Sequence, residues 1–115
     1  MRPTLSEEKI TPPARAKIES FHKAIVDDVK TAIAKHKFVV VGMSMNPVVK
    51  SARKLLNEEG HEFHYMEYGS YTSMWKERLA IKLWSGWPTF PQVFVDGALV
   101  GGHSELVEHL GVKKN

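Results

Sequence analysis

From residue 14 to about residue 36, Ile18, Phe21, Ile25, Val29 and Ile33 recur at three- and four-residue steps with lysines between them. That period predicts an amphipathic helix. Thr11 followed by Pro12 and Pro13 is its start signal, because proline is tolerated in a first turn. Phe38-Val39-Val40-Val41 is a short, continuous apolar run, the pattern of a strand covered on both faces. Asn46 before Pro47 marks a second helix, with a capping side chain and a proline at the first position. Val48, Ala52, Leu55 and Leu56 are its expected buried stripe, and Gly60 its stop. Glu62-Phe63-His64-Tyr65-Met66-Glu67 alternates loosely and reads as a second strand. Ser70 or Thr72 is expected to cap a third helix that runs to about Trp84, with Trp75, Leu79 and Leu83 on one face. Gln92-Val93-Phe94-Val95, Asp96-Gly97 and Ala98-Leu99-Val100 form a strong hairpin signal. Gly101-Gly102 then leads into a short helix over 104–110, stopped by Gly111.

The order α-β-α-β-α-β-β-α predicts a parallel strand–helix–strand unit with a right-handed crossover, followed by an antiparallel hairpin. The expected architecture is an α/β fold: a mixed four-stranded sheet flanked by helices, preceded by an extra N-terminal helix. Residues 1–13 are polar and hold three prolines, so they read as a flexible leader, and 14–115 read as one domain. The length, 115 residues, suits one domain and not two. No stretch approaches the roughly 20 apolar residues of a membrane span. The first thirteen residues carry charges where a signal peptide needs an apolar core, so a cytoplasmic location without membrane association is expected. A net charge of +3 is too mild for a nucleic-acid footprint, and no nucleic-acid partner is expected.

Cysteine changes the picture most, because there is none. Disulfide bonds, thiolate metal sites, cysteine-ligated iron–sulfur clusters and thiol–disulfide exchange by this chain are thereby excluded. No histidine metal site is expected either. His61 and His64, three apart on a strand, should point to opposite faces, and His103 and His109, six apart on a helix, diverge.

Three segments carry candidate chemistry. In Trp87-Pro88-Thr89-Phe90-Pro91-Gln92, two prolines push Thr89 and Phe90 toward extended geometry. A cis bond before Pro91 would turn the backbone of Phe90 outward to pair with an extended peptide. Read alone, the segment is equally a rigid turn entering an edge strand. Gly101-Gly102-His103-Ser104-Glu105 sets two small residues before a helix start, where a carboxylate is favoured, with Ser104 and Glu105 placed to receive an ammonium. Alone, it is a capped surface helix. Arg78 and Lys82, four apart, share a helix face that is ordinarily just solvated.

Together these pieces resemble the glutaredoxin family along residues 38–110. Trp84-Ser85-Gly86-Trp87-Pro88-Thr89-Phe90-Pro91-Gln92-Val93-Phe94-Val95-Asp96-Gly97, followed by Leu99-Val100-Gly101-Gly102, is similar to that family's most distinctive stretch, nearest its single-cysteine branch. The resemblance implies a thioredoxin fold and a glutathione site. By position, Thr89, Phe90 and Pro91 would pair with the cysteinyl backbone of glutathione. Gly102, His103, Ser104 and Glu105 would hold its γ-glutamyl end, and Arg78 and Lys82 its glycine carboxylate. The departure lies at the start of the second helix. The family's Cys-Pro-Tyr-Cys or Cys-Gly-Phe-Ser motif is here Asn46-Pro47-Val48-Val49, so Asn46 and Val49 occupy the cysteine positions and no catalytic residue is assigned. Met43 stands where the family commonly has a lysine.

Three readings follow. The first is a binding module in redox homeostasis that takes glutathione or an extended peptide without redox chemistry of its own. The second is a thiol–disulfide oxidoreductase or electron carrier that borrows a partner's thiol. The third is an interaction subunit that meets an unidentified protein through the first helix or the Tyr65-Tyr68-Tyr71-Trp75 cluster. No cofactor other than glutathione is implied, and an iron–sulfur cluster is not expected.

Overall fold

The computed structural model describes residues 12–111. Residues 1–11, most of the expected leader, and residues 112–115 lie outside them. Helix α1 (Pro12–Lys35) opens at the two prolines, followed by β1 (Phe38–Gly42), α2 (Pro47–Glu58) and β2 (His64–Glu67). Helix α3 (Trp75–Ser85), β3 (Gln92–Val95), β4 (Ala98–Gly101) and α4 (His103–Leu110) complete the order. The sheet order is β2-β1-β3-β4, with β1 parallel to β2 and antiparallel to β3, and β4 antiparallel to β3. This is the mixed four-stranded sheet that the pattern predicted, in the thioredoxin fold that the resemblance implied, with α1 ahead of the first strand.

β1 lies between two strands and under helices on both faces, and all five of its residues are buried. Its side chains alternate between two half-cores. Val39 and Val41 join Val29, Ile81 and Phe94 on the α1/α3 side. Phe38 and Val40 join Ala52, Leu56, Val93 and Leu106 on the α2/α4 side. The hairpin turns where expected because Asp96 and Gly97 both take positive φ, 51° and 81°. That pair of values is what a two-residue turn matched to strand twist requires.

Three expectations are corrected. Helix α3 begins two to four residues later than a cap at Thr72 or Ser70 would place it. Its N-cap is Met74, in the left-handed conformation with no side-chain cap. Ser70 and Ser73 instead bond within the β2–α3 loop: the Ser73 hydroxyl accepts from the Ser70 N–H at 2.9 Å. The stripe is also shifted. Trp75 is 58% and Leu79 42% exposed, while Arg78, Ala80 and Ile81 are buried. Trp84 stacks on Phe94 at 5.9 Å between ring centroids, and this contact helps fix the rotation of the helix. In α2 the buried residues are Val49, Ala52 and Leu56, and Val48 faces outward at 47% exposure. Among the described residues, no helix is long and apolar enough to cross a membrane.

Candidate functional site

The start of α2 is held from two directions. The Ser44 N–H and hydroxyl both donate to the Gly69 carbonyl, at 2.7 and 3.0 Å, which ties the β1–α2 loop to the β2–α3 loop. Met45 follows in the left-handed region at φ 62°, and Asn46 returns to extended geometry at φ −102° and ψ 115°. Asn46 Oδ1 accepts from the Val48 N–H at 2.9 Å and the Val49 N–H at 3.0 Å. Two donors that a helix start leaves unpaired are thus satisfied by a neutral amide. Val49 is buried against Gly42, close enough that a Cβ on Gly42 would lie 2.6 Å from Val49 Cγ1. Met43 is also buried, inside the α1/α3 half-core.

Beside this helix start lies a cleft of about 350 Å³. Val48 forms one wall, Trp87 and Thr89 to Pro91 a second, and Gly102 to Glu105 a third. The Phe90–Pro91 peptide bond is cis. The turn is braced by Gln92, whose Nε2 donates to the Trp87 carbonyl at 3.0 Å. Among the described residues, Thr89 and Phe90 make no backbone–backbone hydrogen bond; Thr89 is exposed and Phe90 is 7% exposed. The buried Trp87 indole N–H has no acceptor. On the third wall, Glu105 Oε1 accepts from the Gly102 N–H at 2.9 Å, closing the start of α4. A Cβ on Gly101, at φ 132°, would stand 2.7 Å from Glu105 Cγ, so the close turn requires glycine.

Seven of the nine residues expected to bind glutathione therefore share this cleft: Thr89, Phe90, Pro91, Gly102, His103, Ser104 and Glu105. Lys82 stands at its edge, with Nζ 5.6 Å from the centroid of the Phe90 ring. Arg78 stands apart. It is 8% exposed, and its Nη1 donates to the Tyr68 carbonyl at 2.9 Å and to the Ser73 carbonyl. In this position it pins the loop that holds Ser44, and so positions the start of α2. Reasoning from sequence missed Val48 and Trp87 as cleft walls. The signal for Val48 was its place directly after the cap and proline, where the first turn faces the adjacent loop.

The glutaredoxin family model matches residues 38–100, more than half of the chain. A glutaredoxin-like protein of Dictyostelium discoideum is 47% identical over 93 residues, spanning 81% of this chain and 76% of that protein. Glutaredoxin-C4 of Arabidopsis thaliana is 30% identical over 82 residues, 71% of this chain and 61% of that one. Among solved structures, the buckwheat glutaredoxin–glutathione complex superposes with a TM-score of 0.72 at 20% identity, covering 81% of this chain and 84% of its own, a likeness of fold. A glutaredoxin holo form, that of glutaredoxin C1 from a poplar hybrid, Populus tremula x tremuloides, aligns at a TM-score of 0.69 and 22% identity, over 80% of this chain and 83% of that one. Cysteine-free though it is, the chain belongs to the glutaredoxin family.

Proposed function

We propose that this protein is a redox-silent glutaredoxin-like binding module whose cleft takes glutathione, or an extended peptide of similar shape, in cytoplasmic redox homeostasis. The observation that carries the reading is the pairing of a cleft walled by seven of the nine expected residues with an inert helix start. The turn before the cis-proline offers residues that make no backbone–backbone hydrogen bond, and the α4 start offers a dipole-favoured end, while Asn46 supplies an amide where a thiolate would stand. In this reading the peptide backbone of the ligand runs along Thr89 and Phe90. A carboxylate meets the α4 start at the His103 and Ser104 N–H groups, since the Gly102 N–H is taken by Glu105, and the glycine carboxylate is met by Lys82 alone, since Arg78 is engaged elsewhere and Met43 replaces a lysine. The complex with glutathione named for the buckwheat protein supports this ligand class.

Adding reduced glutathione while following backbone amides by NMR tests the reading. Saturable shifts are expected at Thr89, Phe90 and Gly102 to Glu105. Their absence at millimolar ligand would remove the glutathione version and leave the peptide version to be tested with extended peptides. In the standard glutathione-dependent disulfide reduction assay the pure protein is expected to be inactive. Activity that survives purification would instead favour an oxidoreductase acting through a borrowed thiol. A third role, an interaction subunit, is favoured by the exposure of Phe21, Trp75 and Leu79 around a common groove between α1 and α3.

A further inference from the structure

At the opposite end of β1 from Asn46, the strand starts beside a second and larger cleft of about 920 Å³. Lys35, His36 and Lys37 reach it from the end of α1, Arg53 from α2, and His61 and Tyr65 from the approach to β2 and the strand itself. Glu62 is the one carboxylate in its lining. Among the described residues the one ion pair is Lys23–Asp27, so the three permanent cations here have no carboxylate within salt-bridge distance. Tyr65 adds no negative charge: burial, and then the hydrogen bond its hydroxyl donates to Glu67, push its phenol up to about 12.

Lys35 has a structural use in the last turn of α1, where the helix dipole favours cations, and Lys37 Nζ lies 5.8 Å from the centroid of the Phe38 ring. Arg53 has no such explanation. It sits in the middle of α2, its guanidinium lies over the Tyr65 ring at 3.9 Å, and its buried Nε has no acceptor. A buried, charged donor without a partner is costly, and an arginine fork is matched in shape by an oxyanion. His36 stacks on His64 at 4.5 Å and His61 lies against Phe38 at 4.5 Å, adding imidazoles around the same opening.

We propose that this cleft is a polyphosphate site, taking a small molecule with two or more linked phosphate groups between Arg53 and the Lys35/Lys37 pair. Its volume exceeds what one phosphate fills, and its cations come from two separate helices, so a ligand that carries several oxyanions meets both sides at once. The proposal is independent of the cleft beside Asn46, which lies at the other end of the sheet.

The test is a titration with sodium pyrophosphate, against sodium chloride and orthophosphate at matched ionic strength, followed by backbone amide NMR. Saturable shifts are expected at residues 35–37, Arg53, Asn57 and His61, with pyrophosphate binding more tightly than orthophosphate. Arg53→Gln is expected to weaken pyrophosphate binding by about tenfold or more, the effect of losing a charge-assisted contact. Because Arg53 also packs on Tyr65, the exposed pair Lys35→Gln and Lys37→Gln provides a second variant that leaves the core intact, and a similar loss is expected. Equal shifts in chloride would reduce the site to general screening. Equal affinity for orthophosphate would overturn the requirement for linked phosphates. Undiminished affinity in the double lysine variant would overturn the site itself.

Discussion

Asn46 brings an uncharged oxygen to the point where the N–H groups of Val48 and Val49 converge, and as a cap it is worth about 1 kcal/mol over alanine. A sulfur in its place would face the same donors and the positive end of the helix. Asn46→Cys is therefore expected to give a thiol with a pKa below the free value of about 8.5, measured from the pH dependence of its alkylation rate. An ordinary value would mean that this helix start does not stabilise an anion. Arg78 poses the opposite case, a charged residue used structurally. Arg78→Gln is expected to cost about 1.5–3 kcal/mol in a denaturant titration, the range for hydrogen bonds to a charged group. Unchanged stability with weakened glutathione binding would return Arg78 to the ligand. A four-residue spacing placed Arg78 and Lys82 on one face, but spacing cannot tell which of two cations turns inward. That is decided by loop carbonyls at Tyr68 and Ser73, which become neighbours only when the chain has folded.

β1 and the hairpin were readable from sequence because their causes are local: an uninterrupted apolar run, and two turn residues that tolerate positive φ. Helix α3 was less readable because its start has a tertiary cause. No side chain caps it, and Met74 is held in the left-handed region at the end of a loop tied down by Arg78 and Ser73. The cleft was legible in outline for the same local reasons, through its prolines and paired glycines, whereas Val48 became a wall only by the rotation of α2. Between β1 and α2 the fit is close. Gly42→Ala would drive a methyl group into Val49 and is expected to destabilise the protein by about 1–3 kcal/mol, as overpacking does, in thermal or chemical unfolding. A neutral outcome would show that α2 can slide on the strand, and with it the wall formed by Val48.

The sheet separates the interior into two half-cores, with Ile81 on the α1/α3 side and Leu106 on the α2/α4 side. Ile81→Val is expected to cost about 0.5–1.5 kcal/mol and Leu106→Ala about 2–5 kcal/mol. The double variant should lose their sum to within about 0.5 kcal/mol, because the two sites share no contact. A larger coupling, seen by equilibrium unfolding, would mean that β1 transmits strain from one face to the other. The two clefts lie at opposite ends of that same strand, so a ligand in either leaves the other open. The carboxamide at the α2 start also bears on how the protein meets its surroundings. Without a sulfhydryl, no sulfenic acid and no mixed disulfide can form, so oxidation beside the helix start falls on methionine instead of on a thiol. A peroxide arriving there meets the thioether of Met45, 78% exposed, and its sulfoxide would set a polar oxygen one residue ahead of the cap.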